Sequence, residues 1–263
     1  MRRNTLFWGA VLIVLGLLFL LNNLNILQVD VWKFVWPLFL IALGAWVLLG
    51  TVFRRRPAAD ELVSIPLDSS GRARLRISHG AGRLNLSGRA DPGLLVHGTF
   101  GGGLEHHTRR DGELLTVDMH VPQNFFPWGW GPGDTLNWDF SLTDAIPLSL
   151  EFNTGASESQ IDLSALRVTD LSLQTGASST VIIMPAAAGM TRARVGSGAA
   201  SVSLRIPSGV AARVRVRSGL AGITIVLARF PRQGDLYISP DYETAQNKVD
   251  IDMETGVGSI DIR

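Results

Sequence analysis

The chain has 263 residues, of which 18% are charged, with a formal net charge of +1 and no cysteine. A balance this close to neutral gives no electrostatic footprint for nucleic acid, and the missing thiols exclude disulfides and thiolate metal sites. Mean hydropathy is positive, which is apolar for a soluble protein, and the apolar excess is concentrated at the start of the chain.

Leu6 to Leu21 is an uninterrupted apolar run, glycines included, and Phe34 to Phe53 is a second, with no charge inside either. At about 1.5 Å rise per residue the second run reaches roughly the 30 Å of a bilayer core. Arg2 and Arg3 would suit a signal peptide, but no A-x-A-like cleavage site follows and a second span comes soon after. Residues 1–53 are therefore predicted to form a two-span transmembrane helical hairpin, its connection at 22–33 lying at the far surface. Trp8, Trp32 and Trp36 stand where amphipathic rings settle at membrane interfaces, and Pro37 falls in the first turn of its helix, where a missing N–H is tolerated. Arg2, Arg3, Arg54, Arg55 and Arg56 outside the spans, against Lys33 in the connection, predict that both termini lie in the cytoplasm.

Residues 54–71 read as a polar linker. From 72 to 263 one pattern recurs: a period-two apolar strand, a corner that is Ser/Thr-Gly in five copies and His-Gly in the first, and a second period-two strand. The corners are Gly80, Gly155, Gly176, Gly198, Gly219 and Gly256. Around Gly80 stand Leu75, Ile77, Leu84 and Leu86; around Gly176 stand Leu171, Leu173 and Ile182. The central four glycines are spaced 21, 22 and 21 residues apart. Such a period marks a repeat in which one unit cannot bury its apolar face alone. It predicts an all-β, single-stranded β-solenoid with coils of about 21 residues. A β-sandwich of hairpins is the structural alternative. Glycine at each corner fits either positive φ or a tight backbone approach. Residues 89–147 keep the spacing less well, and 229–248 read as a protruding loop inserted before the last coil.

Arginines recur at matching outward positions of neighbouring coils: Arg192 with Arg213, and Arg194 with Arg215. Stacking would set like charges about 5 Å apart, a basic strip for an acidic partner or anionic headgroups. Asp250, Asp252 and Glu254 match Arg213, Arg215 and Arg217 in register, and local neutralisation is the other reading. In segment 124–140 Phe125, Phe126, Trp128 and Trp130 stand among glycine and proline. That loop is expected to dip into a membrane interface, grip a partner, or fold back over the open end of the solenoid.

The histidines, at 79, 97, 106, 107 and 120, form no recognised metal motif, and adjacent His106 and His107 would point to opposite faces of a strand. The stretch 196–201 has no helix after it to bind a dinucleotide phosphate, and neither a nucleophile elbow nor a Walker loop is present. No cofactor, metal or catalytic residue is predicted. A solenoid enzyme acting on polysaccharide would need clustered carboxylates, and Asp162 and Asp170 stand isolated.

The run from Phe7 through the Asn-Asn-Leu-Asn-Ile-Leu connection (22–27) to the Trp-Pro-Leu-Phe-Leu-Ile-Ala-Leu-Gly-Ala-Trp stretch (36–46) resembles the two-helix membrane region of LiaI/LiaF-type proteins of bacterial envelope-stress systems. The repeated TGAS and SGAAS corners resemble the toast-rack type of β-solenoid domain often joined to such spans. The resemblance implies a membrane protein that restrains a sensor histidine kinase until the envelope is stressed, and it brings no catalytic residues. The expectation is a non-enzymatic, membrane-anchored regulatory protein whose solenoid binds such a kinase. The alternative is a membrane-tethered scaffold, a homo-oligomer growing by end-to-end pairing of solenoids.

Overall fold

The computed structural model describes residues 36–37, 39–41, 60–122 and 136–263. The predicted spans, apart from a few residues of the second, lie outside the described residues, as does the aromatic segment with Phe125, Phe126, Trp128 and Trp130. The chain divides into two units, Met1–Arg55 and Arg56–Arg263. In the first, Trp36, Pro37 and residues 39–41 are helical and exposed, with the rings of Trp36 and Phe39 stacked at 5.8 Å.

The second unit is all strand. In chain order it runs β1 (Glu61–Pro66), β2 (Arg72–Arg89), β3 (Leu94–Phe100), β4 (Glu105–Asp111), β5 (Leu114–His120), β6 (Asn137–Leu142) and β7 (Leu148–Asp162). It continues with β8 (Val168–Thr175), β9 (Ser179–Ile183), β10 (Met190–Arg205), β11 (Ala211–Ile225), β12 (Arg232–Gln233), β13 (Leu236–Ile238) and β14 (Lys248–Ile262). The long strands turn a corner at their central glycine, so each is a two-armed rung. Rungs lie parallel and in register, forming a solenoid-like stack. Its order is β5 with β6, then β2, β7, β8 with β9, β10, β14 and finally β11.

Period-two patterning builds the core. Leu75, Leu150, Leu171, Ala193, Ile251 and Val214 occupy one register position on successive rungs and are all buried. On the other arm Leu86, Ile161, Ile182, Leu204 and Ile262 do the same. Each such column removes apolar area from water that one rung alone would expose.

The corner glycines line up, and for five of the six, all but Gly80, the reason is close approach, since none has positive φ. A Cβ on Gly219 would stand 2.8 Å from the carbonyl oxygen of Gly256, and one on Gly256 2.8 Å from that of Gly198. On Gly198 and Gly176 it would meet the preceding glycine carbonyl at 3.2 and 3.1 Å, and on Gly155 closer still. Thr154, Thr175, Ser197 and Thr255, each the residue before a corner glycine, line a polar column, whereas Ser218 on the last rung is exposed. The Thr154 hydroxyl donates to Thr175 Oγ1 at 2.9 Å, and Ser197 and Thr255 share a 2.6 Å hydrogen bond. Buried hydroxyls thus satisfy one another along the stack, which explains why Ser or Thr accompanies the glycine.

Three sequence expectations need correction, and the irregular section 89–147 is filled in. Residues 54–71 are not linker throughout, because Val63 and Ile65 of β1 alternate inward and pair with β3. Residues 89–147 contain four strands, and β5 with β6 makes a full rung outside β2. Residues 229–248 are not simply a protruding loop; they fold as the β12–β13 hairpin on the first arm of β11. Lastly, the coils are not stacked in chain order. β14 lies between β10 and β11, so Arg192 does not neighbour Arg213, nor Arg194 Arg215.

Candidate functional site

Two ends of the stack expose strand edges, where unpaired N–H and C=O groups invite another chain. At the first rung, β4 pairs with the outer edge of β5, and β3 followed by β1 continues from β6. The outermost strands there are β4, with sequence EHHTRRD, and β1, which begins at Glu61 and ends at Pro66. Charge and proline blunt both.

At the last rung the first arm of β11 is covered. Arg229 donates to the backbone carbonyls of Ile206, Pro207 and Val210, steering the chain back after β11. Burial lowers the pKa of this guanidinium. Phe230 then packs fully inside, and Leu236–Ile238 pairs with Arg213–Arg215. Ser239 closes the cap by accepting from Ala212 N–H at 2.8 Å. Tyr242, buried, lies under the Arg213 guanidinium at 5.1 Å and the Lys248 ammonium at 5.4 Å.

The second arm has no such cover. Leu220–Ile225 pairs with β14 on one side and, among the described residues, with nothing on the other. Ser218–Ala228 is eleven residues without charge or proline. Leu220 is 80% exposed, Leu227 59% and Val257 on the adjoining rung 52%, with Ile223 and Val226 also open. This is the longest apolar edge among the described strands, and it is the candidate interaction surface. In the sequence its one signal was the lack of charge in SGLAGITIVLA.

Arg192, Arg194, Arg213 and Arg215 do form a strip on the outer face, but its sign alternates. One column reads Asp170, Arg192, Asp250, Arg213 and the next Ser172, Arg194, Asp252, Arg215. The Arg213 guanidinium hydrogen-bonds Asp250, which raises its pKa further, and Arg217 reaches Asp252 at 4.0 Å. The same logic holds at the other end, where Arg76 bridges Asp118 and Glu151 at 3.1 Å each. Its pKa is raised chiefly by the hydrogen bond to Glu151, whose own pKa is lowered, first by Asn153 and then by Arg76. A groove of about 620 Å³ runs beside Arg72, Arg74, Asp170, Arg192 and Arg194 on this face.

Comparison with known proteins agrees with this architecture. Residues 55–205 match the family described as "N-terminal domain of toast_rack, DUF2154", and residues 6–48 match the "LiaI-LiaF-like transmembrane region". No curated protein matches the chain. A crystal structure described as that of a "putative cell adhesion protein" from Clostridium sporogenes is similar in fold, with a TM-score of 0.71 at 18% identity, covering 79% of this chain and 99% of that one. With more than half its length in one family match and its N-terminal segment in the other, the chain belongs to the toast-rack family and carries a LiaI-LiaF-like membrane region.

Proposed function

We propose that this membrane-associated protein is a non-enzymatic regulator in a bacterial envelope-stress system. The hairpin of residues 1–53 anchors it with two spans and both termini in the cytoplasm, and the stack of rungs binds a signalling partner such as a sensor histidine kinase. The observation that carries the reading is the bare second arm of β11. An extended partner segment adds there as a further strand, main-chain hydrogen bonds supplying affinity and the Leu220, Ile223 and Val257 side chains supplying specificity. Repacking of the membrane helices would reorient the stiff stack and so present or withdraw that edge.

The test is capture of a sensor histidine kinase by the full-length chain in detergent, with Leu220→Lys and Ile223→Lys compared with the unaltered protein. Loss of capture with the rungs still folded supports the edge; undiminished capture by both variants sinks it. Self-association through the same edge is the second reading, favoured because the edge has no charge to repel a copy of itself. Since the first rung is blunted, such pairing stops at a closed dimer instead of growing. Light scattering of the purified chain separates the two outcomes.

A further inference from the structure

We propose that Glu105, His107 and His120 form a binding site for a divalent late-transition-metal ion of the zinc class. The site sits on the β4–β5 hairpin at the first end of the stack, far from the β11 edge in rung order, and stands or falls independently of it.

The hairpin register makes the site. Leu115, Val117 and Met119 of β5 point into the core, so Thr116, Asp118 and His120 face outward. Glu105 lies directly opposite His120, and His107 opposite Asp118, which places Glu105 and His107 on that same outward face. His106 pairs with buried Met119 and points the other way. His107 and His120 are thirteen residues apart in the chain, and only the hairpin brings them together. Adjacent His106 and His107, the pair that attracts notice in the sequence, are not the pair that converges.

The distances suit an ion. His120 Nε2 lies 3.5 Å from Glu105 Oε2, the His107 and His120 ring centroids are 5.7 Å apart, and one donor atom from each residue falls within 4.8 Å of the other two. A tetrahedral ion bound at 2.0–2.1 Å holds its ligands about 3.3 Å apart. The Glu105–His120 pair already has that span, and His107 needs only side-chain rotation to join it. The backbone beneath is fixed, since β4 pairs with β5 along its whole length across a turn in which Gly112 takes φ of 59°.

Ligand chemistry selects the class. Two imidazoles and one carboxylate favour zinc, nickel, copper or cobalt over magnesium and calcium, which take oxygen ligands. Asp118, the outward neighbour of His120, is engaged by Arg76 at 3.1 Å. Three protein ligands leave one position for water or for a donor from a partner, as in open zinc sites. Both His107 and Glu105 lie on β4, which among the described residues pairs only with β5, so a bound ion would clasp β4 to β5 and stiffen the cap of the first rung.

Calorimetric titration of zinc chloride into the untagged, chelator-stripped full-length chain tests this. One equivalent should bind with micromolar affinity, and Glu105→Ala, His107→Ala and His120→Ala should each weaken binding at least about tenfold, because each removes one of three ligands. His106→Ala, on the opposite face of the same strand, should leave affinity unchanged. Absence of saturable binding in the micromolar range, or a His106→Ala loss equal to that of His107→Ala, overturns the proposal. All four side chains sit on an exposed strand or its partner's outer face, so none of these variants threatens the fold.

Discussion

The first and last rungs close the two ends of one stack and are finished in opposite ways. At the first, antiparallel strands lie over both arms, and aromatic side chains of the rung's own β6 and of the added β3 fill the space where the rung column ends. Trp138 and Phe100 meet edge to face at 5.2 Å, and Phe100 stacks on Phe140 at 5.7 Å, all three buried. At the last, the β12–β13 hairpin with Phe230 and Tyr242 seals one arm and stops. The other arm ends in small and aliphatic side chains with no charge among them. A repeat fold must terminate its own propagation, and the mixed finish separates what termination requires for stability from what remains available for binding.

Truncation should expose that contrast most sharply. Trp138→Ala removes a fully buried indole at the sealed end and is expected to cost about 3–5 kcal/mol. Leu220→Ala at the bare edge removes an equally apolar side chain that packs on little, and should stay within about 0.5 kcal/mol. Urea unfolding of the detergent-solubilised chain, followed by the strand signal in circular dichroism, measures both. Equal losses would mean that the β11 edge is buried in solution.

A smaller effect probes how the last rungs are ordered. Asp250 stands between Arg192 and Arg213 in the cross-strand register. Asp250→Arg would set three guanidinium groups in one column. The loss should be about 1 kcal/mol at low salt and shrink as salt is added, because the groups are partly exposed and like charges in a column repel. Asp250→Asn should cost less. A salt-independent loss would show that the charges do not act on the order of rungs.

That substitution also marks where the sequence is and is not informative. The columns through Leu150 and Leu171 and the ladder of Gly155, Gly176 and Gly198 follow from period-two patterning and a repeat of 21 or 22 residues. The order of rungs does not. Ile251 and Val214 are interchangeable inside the core, and only the outward residues distinguish β14 from β11 as the neighbour of β10. Asp250 and Asp252 held that information, but it can be used only once stacking in chain order is no longer assumed. The bare edge inherits the difficulty: an uncharged run in SGLAGITIVLA becomes a surface only when β11 is known to be the outermost rung. Rung one was hidden differently, because β5 and β6 are separated by a long connection and share no corner glycine. Glu105, His107 and His120 converge only through a hairpin register that composition does not reveal.

Acid provides a probe of the sealed end alone. His79 replaces the Thr or Ser found before the other corner glycines and is 1% exposed. Its Nε2–H donates to the Leu136 carbonyl at 3.1 Å, its ring lies 5.0 Å from Trp138, and Nδ1 has no partner among the described residues. A second proton would have to sit on that bare nitrogen in an apolar setting. Burial accordingly lowers the pKa from its usual 6.5, against the smaller opposing pull of the Leu136 carbonyl. The unfolded chain then takes up a proton at a pH where the folded chain does not. The stabilising contribution is complete above the unfolded pKa and declines as pH falls from there toward the depressed folded value. The slope for this one proton cannot exceed about 1.4 kcal/mol per pH unit and should fall below it. His79→Thr, which restores the hydroxyl column of the neighbouring rungs, should flatten the acid side of the stability–pH curve relative to the unaltered chain. The β11 edge carries no titrating group between Ser218 and Ala228, so Leu220→Ala should leave the shape of that curve untouched; a changed shape would couple the two ends in a way that the rung-by-rung packing does not provide.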